Sequence, residues 1–433
     1  MPVLAIIGAQ WGDEGKGKIV DLLAENAHVV ARYQGGANAG HEVVVGGESF
    51  ILHLVPSGIL HPGKINIIGN GVVLDPESFE AEVNGLRKRG VKVDGCLFVS
   101  DRAHLTLALH KQLDAAREGA SEGKKIGSTK RGISPTYMDK AGRVGLRPAD
   151  LNDADYCKSI IAANLYEKNI LFKELYGVKP LSAASVFAEV KRHFAAVKPF
   201  LADTTGMIHK FLAQGKNILL EGAQGTLLDI DHGSYPYVTA SNATAGGAAS
   251  GTGLGPTQIG RVIGVCKAYT TRVGEGPFPT EFDAKKSHIV RELGGEYGRT
   301  TGRARRCGWL DMVALKHAVM VNGLTELAIT KLDVLDTMAE IEICVAYKIG
   351  NKTMTRFPAS VSELDRAKPV TKKFKGWLSS TKKARSLKQL PTNARTYLKA
   401  IEALAGVPVG IVSVGADRTE TIFVNKKARD YSF

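Results

Sequence analysis

Cysteine is scarce in this chain of 433 residues, and the few present are poorly placed for joint chemistry. Cys96, Cys157, Cys266, Cys307 and Cys344 are scattered, with no C-x-x-C pair, which argues against both a disulfide framework and a zinc site. No apolar run approaches the ~20 residues needed to span a bilayer. The N-terminus lacks a charged n-region and a cleavage site, so the expectation is a cytoplasmic protein without a signal peptide or a membrane partner. Internal repeats and long low-complexity linkers are missing as well. Positive charge is in excess, with 57 Lys and Arg against 43 Asp and Glu, a net +14. Residues 351–399 hold thirteen Lys or Arg against Glu363 and Asp365, a net +11, so the rest of the chain carries only +3. A basic face of this kind can meet RNA by counterion release. Beyond Phe374 and Trp377, however, it offers no stacking platform, so we read it as a solvated surface and expect no nucleic-acid partner.

Short β-branched runs alternate with helical stretches. Strand candidates are 29–33, 65–69, 97–100, 217–220, 262–265 and 327–330; helix candidates are 76–90, 104–118, 185–214 and 309–323. The alternation predicts an α/β protein with a large, mostly parallel central sheet and flanking helices. Residues 101–215 read as a mainly helical insertion within one continuous domain spanning 1–433.

The chemistry is concentrated in glycine-rich and cationic strings. Val3-Leu4-Ala5-Ile6-Ile7-Gly8-Ala9 reads as a buried strand and Ile19 to Glu25 as a helix; between them lies Gly12-Asp13-Glu14-Gly15-Lys16-Gly17-Lys18. A strand, a glycine-rich turn with two lysines and a helix start form a phosphate cradle, because free N–H groups point at the anion and lysine adds charge. The match to G-x-x-x-x-G-K departs in two places: Ile19 replaces the hydroxyl that would hold magnesium, and Asp13 puts a carboxylate inside an anion loop. Thr330-Lys331-Leu332-Asp333 follows an apolar strand, and its carboxylate can accept both donors of a guanine edge while the lysine stem lies along the ring. Arg299-Thr300-Thr301-Gly302-Arg303-Ala304-Arg305-Arg306 holds four guanidinium forks suited to a polyanionic ligand. His41 follows a second glycine-rich turn and is weighted toward function; Asp229-Ile230-Asp231-His232-Gly233 is read as a structural loop rather than a metal site. The alternatives are a guanine-nucleotide switch without ligase activity and an RNA-binding protein.

Taken with Glu221-Gly222-Ala223-Gln224-Gly225 and Ser413-Val414-Gly415, these strings resemble the adenylosuccinate synthetase family over nearly the whole chain and in the family's order. The resemblance implies phosphate-loop GTPase-like elements and a GTP-dependent ligase joining inosine monophosphate (IMP) to L-aspartate through a 6-phosphoryl intermediate, with release of GDP and phosphate. It implies Asp13 as the base that takes the N1 proton of IMP, His41 as the acid or donor aiding β–γ bond cleavage, and Gln224 and Lys16 as stabilisers of the developing charge. For GTP it implies Gly12, Asp13, Glu14, Gly15, Lys16, Gly17 and Lys18, with Gly40, His41, Glu42, Arg305, Lys331, Leu332, Asp333, Ser413, Val414 and Gly415. For IMP it implies Asp13, Asn38, Ala39, Gly40, His41, Thr129, Gln224, Thr239 and Arg303, plus Arg143 reaching across from the second subunit of a homodimer. Aspartate should meet Arg299, Thr300, Thr301, Gly302, Arg303, Ala304 and Arg305, and Mg2+ should contact the Asp13 carboxylate and the Gly40 carbonyl. The stretch Ser121 to Gly127 is expected to stay mobile until IMP binds. Glu42 stands where the family commonly has Thr and Ala416 where it usually has Pro.

Overall fold

The structure is a computed structural model that describes residues 2–45, 47–120, 127–298 and 302–424. Its centre is a ten-stranded sheet: β1 (Val3–Gly8), β2 (Val29–Arg32), β3 (Ile65–Ile68), β4 (Leu97–Ser100), β5 (Leu201–Ala202), β6 (Ile218–Glu221), β7 (Arg261–Lys267), β8 (Glu326–Thr330), β9 (Val409–Ser413) and β10 (Thr421–Phe423). The spatial order is β10-β9-β8-β7-β1-β6-β2-β3-β4-β5, and every neighbouring pair is parallel except β9 with β10. β1 lies near the middle and is wholly buried, as its unbroken apolar run requires when helices cover both faces of a parallel sheet. One face packs Leu4 and Ile6 against Ile19, Val20 and Leu23 of the helix Lys16–Ala24, which follows β1. Ile19, in the place of the missing hydroxyl, is therefore a core residue with no access to a ligand.

The six strand candidates all form strands of this sheet, within a residue or two of their expected ends. The helices needed two corrections. The stretch 185–214 is two helices, Ala183–Val197 and Thr204–Ala213, because Pro199 has no N–H to continue the first and the chain adds the short strand β5 before the second begins. The helix expected over 104–118 runs Ala108–Ala120, because His104 and Leu105 pair with Val73 and Leu74 instead. Among the described residues five α-helices lie between Ala108 and Ala213, and Val186, Val190, Phe194 and Val197 share one buried apolar core with Ile68, Leu97 and Val99 of the sheet. The basic segment includes an exposed strand, Lys368–Lys375, paired with Glu340–Ile349. Lysines on such a strand keep its hydrogen-bonding edge from recruiting another chain.

Candidate active site

Five of the segments singled out in the sequence leave the carboxyl ends of parallel strands in one sheet: 9–18 after β1, 33–41 after β2, 222–225 after β6, 331–333 after β8 and 413–415 in β9 and beyond. Ligands of open α/β sheets collect at that end. A cavity of about 460 Å3 opens there, lined by Asp13, Lys16, Lys18, Asn38, His41, Thr129, Gln224, Arg305, Lys331 and Ser413 among others. The strand order lays the groups out along a line. Ser413 and Lys331 lie on one side of β1, Gln224 and the Asn38–His41 turn on the other, and the phosphate loop between them.

The loop owes its shape to glycine and to a buried acid. Gly15, at φ +86°, begins the helix in a left-handed conformation, and no side chain caps the helix, so its first N–H groups are left for an anion. A Cβ on Gly17 would lie 2.6 Å from the Glu42 carbonyl, so only glycine lets the two loops meet. Glu14 turns inward and is fully buried; its carboxylate accepts from Gln10 N (3.0 Å), Gly12 N (2.9 Å) and Lys16 Nζ (2.6 Å). Among the proposed GTP contacts it therefore acts as a brace. Lys16 Nζ also donates to the Gln224 carbonyl, tying the loops after β1 and β6 together at the cleft. Lys18 donates to Ser413 Oγ (2.7 Å), Gly415 O (2.8 Å) and Glu420 O (3.0 Å), and burial lowers its pKa to about 8.

Of the six non-glycine residues with positive φ among the described residues, four are proposed site residues: Asp13, Arg143, Gln224 and Lys331. Long side chains rarely adopt this backbone, and strain of that kind collects where a site needs a particular side-chain direction. Asp13 is exposed and accepts from Arg305 Nε at 2.9 Å. Gln224 donates to Asn38 Oδ1 (3.4 Å), and its Oε1 is buried without a hydrogen-bond partner among the described residues, which leaves the amide with unused capacity at the cavity wall.

His41 is buried and donates through Nδ1 to Glu221, the last residue of β6. Burial would push the Glu221 carboxyl up, but His41, Arg32 and the Ser57 N–H (2.8 Å) hold it below the usual carboxylate range. An ionised carboxylate only accepts, so Nδ1 carries the hydrogen and Nε2 is the nitrogen left for the cavity. Burial lowers the pKa of His41, so the resting ring is neutral. Sequence reasoning gave Glu221 no role; the signal was its place three residues before Gln224, at a strand end.

Other candidates lie apart. Leu332 and Val414 are fully buried, so any contact they make with a nucleotide is through the backbone. Thr239 is half-buried, Arg143 and Arg303 are exposed, and none of the three lines the cavity of its own chain. Asp333 is half-buried just beyond Lys331, and burial raises its carboxyl. Arg299, Thr300, Thr301 and the stretch Ser121 to Ile126 lie outside the described residues. Asp229 takes the N–H groups of Asp231 and His232 (2.9 and 3.0 Å) on one oxygen and those of Ala243 and Thr244 on the other, the expected structural loop. Glu42 is half-buried at the cavity wall and accepts from Ser49 Oγ at 2.9 Å.

The donors at the phosphate loop fit magnesium. Among the described residues no three His, Cys, Asp or Glu side chains come together, and at the phosphate loop the exposed Asp13 carboxylate faces a cavity also lined by Gly40. Mg2+ is typically held in this way, by one or two carboxylates with substrate phosphates and water.

The family model described as adenylosuccinate synthetase matches residues 5–422. The adenylosuccinate synthetase of Geotalea daltonii is 50% identical over 98% of this chain and 99% of its own, and that of Carboxydothermus hydrogenoformans is 51% identical over 98% and 100%. Among solved structures, fully ligated adenylosuccinate synthetase from Plasmodium falciparum superposes with a TM-score of 0.91 at 36% identity, covering 98% of this chain and all of that one.

Proposed function

The chain belongs to the adenylosuccinate synthetase family and is the GTP-dependent ligase that joins IMP to L-aspartate in AMP biosynthesis; from that premise we propose how the cleft divides the chemistry. GTP lies along the Ser413, Lys331 and phosphate-loop side, with Asp333 taking the guanine edge. IMP lies on the Asn38, Thr129 and Gln224 side. Asp13 stands between them, on the loop after β1. That strand order is the observation that carries the reading.

The oxygen on C6 of IMP is a poor leaving group. Asp13 accepts the N1 proton, and the electron pair released into the ring gives O6 the charge to attack the γ-phosphorus, with GDP departing. The neutral amine of aspartate then attacks C6, the C6–O6 bond breaks, and phosphate leaves with the former O6 and with the proton the amine gives up. Aspartate is ordinarily a weak base near neutrality, so Lys16 and Gln224 supply the remaining drive by stabilising the oxyanion. His41, with Nδ1–H held by Glu221, presents Nε2 to the β–γ bridge; to act as the acid the ring takes a second proton from solvent on Nε2, supported by the Glu221 charge, and donates it to the bridging oxygen as GDP departs. Bound at Asp13 and the Gly40 carbonyl, Mg2+ would neutralise phosphate charge during transfer. The Arg303–Arg305 segment receives the dicarboxylate. A homodimer completes each IMP site with Arg143, an exposed residue that closes the helix Ile133–Gly142.

The test is phosphate release with GTP, IMP and aspartate, omitting each in turn. The ligase requires all three, and omission of any one should cut release at least ~100-fold, the scale of a lost catalytic or positioning contribution. Release that persists without IMP and aspartate would identify a GTP-hydrolysing switch.

A further inference from the structure

One buried carboxylate joins Arg305 and Lys331, two of the cationic groups that line the cleft, although neither the motifs nor the assigned chemistry includes it. Glu296 is fully buried. It accepts from Tyr269 OH (2.5 Å), Lys267 Nζ (2.8 Å) and Arg305 Nη1 (2.7 Å), and Lys331 Nζ lies 3.3 Å away. The other side of the same Arg305 guanidinium, Nε, holds Asp13. Its backbone is engaged as well: Arg305 N donates to Glu296 O at 2.9 Å, and Tyr297 bridges Ala304, so Glu296 and Arg305 are the two feet of the arginine-rich loop between them. Lys331 Nζ also donates to Gly294 O (2.5 Å), two residues before Glu296. Burial would raise the carboxyl, yet Lys267, Lys331 and Arg305 hold it far below the usual carboxylate range.

We propose that Glu296 is a positioning residue of the ligase reaction, holding Arg305 for the dicarboxylate and Lys331 for the guanine from a single buried charge. The inference rests on the reading of the cleft given above. Arg305 cannot serve Asp13 and an incoming carboxylate with the same N–H. When the substrate carboxylate or γ-phosphate arrives, Nε leaves Asp13, which becomes available to the N1 proton, and Nη1 stays on Glu296. The guanidinium then turns about a fixed point instead of swinging out of the cleft. Without Glu296, Arg305 would retain only Asp13 and would hold the base closed. Lys331, in its strained left-handed conformation, would lose one of the two groups that aim its ammonium.

The experiment is Glu296→Gln, with KM determined separately for GTP, aspartate and IMP. A double variant, Lys267→Met with Glu296→Gln, removes both members of the buried pair in case the single change leaves Lys267 uncompensated and fails to fold. The expected result, in whichever variant folds, is a rise of 10-fold or more in KM for both aspartate and GTP, while KM for IMP moves by less than 3-fold. A KM rise shared equally by all three substrates, or unchanged KM values with only a lower Tm, overturns the proposal and leaves Glu296 as a fold support. Wild-type enzyme in the same assay separates the two failures: if it releases phosphate without IMP or aspartate, the reading of the cleft is at fault, not the role of Glu296.

Discussion

Asp13→Asn should lower kcat by at least ~10³-fold, about 4 kcal/mol in the transition state, and leave the fold intact. The substitution isolates the chemistry unusually well. Asp13 sits at φ 58°, and asparagine is among the few residues that accept the left-handed region without strain, so the backbone has no reason to move. The side chain is exposed, and its pair with Arg305 is worth no more than the ~1 kcal/mol of a partly solvated ion pair. Arg305 keeps its bond to Glu296. What is lost, on the proposed chemistry, is the acceptor for the N1 proton and the anionic group that would hold Mg2+. Circular dichroism and Tm should match wild type within a few degrees. A variant retaining more than a tenth of wild-type kcat would show that the N1 proton goes elsewhere.

The second large effect is expected at His41. His41→Asn keeps a donor near the Nδ1 position, so Glu221 and its bond from Ser57 stay satisfied, but it removes Nε2 from the cavity. kcat should fall by ~10²–10⁴-fold, the range for a positioned acid, with KM for IMP little changed. Glu221→Gln should cost less, ~10–100-fold, because the ring remains but loses the anion that supports its protonated form. The double variant should be no slower than His41→Asn alone, since the pair acts as a unit. A double variant slower by the product of both effects would mean that Glu221 acts independently of His41.

The phosphate loop and the strands of the sheet could be read from sequence because each rests on local patterns: an unbroken apolar run, a glycine turn, a helix start; the strand order that lays the site segments along the cleft could not. Glu14, expected among the GTP contacts but buried as a brace, and Glu221, which had no expected role, depart from the sequence reading for a common reason. Each is an acid beside a recognised motif whose side chain turns away from the ligand to satisfy loop amides or a histidine, and only the packed loops reveal that direction. Glu296 had no local signal at all. Its partners Lys267, Tyr269, Arg305 and Lys331 lie on different segments brought together by β7, β8 and the arginine loop. The break at Pro199 was within reach of sequence reasoning. A proline cannot continue the hydrogen-bond ladder, so the apolar periodicity on either side of it belongs to two helices.

In the proposed reaction the cleft moves a phosphoryl group from GTP onto O6 of IMP, so that O6 departs with phosphate. Turnover with IMP labelled with 18O at C6, followed by mass spectrometry of the released phosphate, tests this directly. One labelled oxygen is expected in each phosphate released. Unlabelled phosphate, with the label recovered in water, would mean that aspartate displaces hydroxide while GTP is hydrolysed separately, and would contradict the proposed reaction.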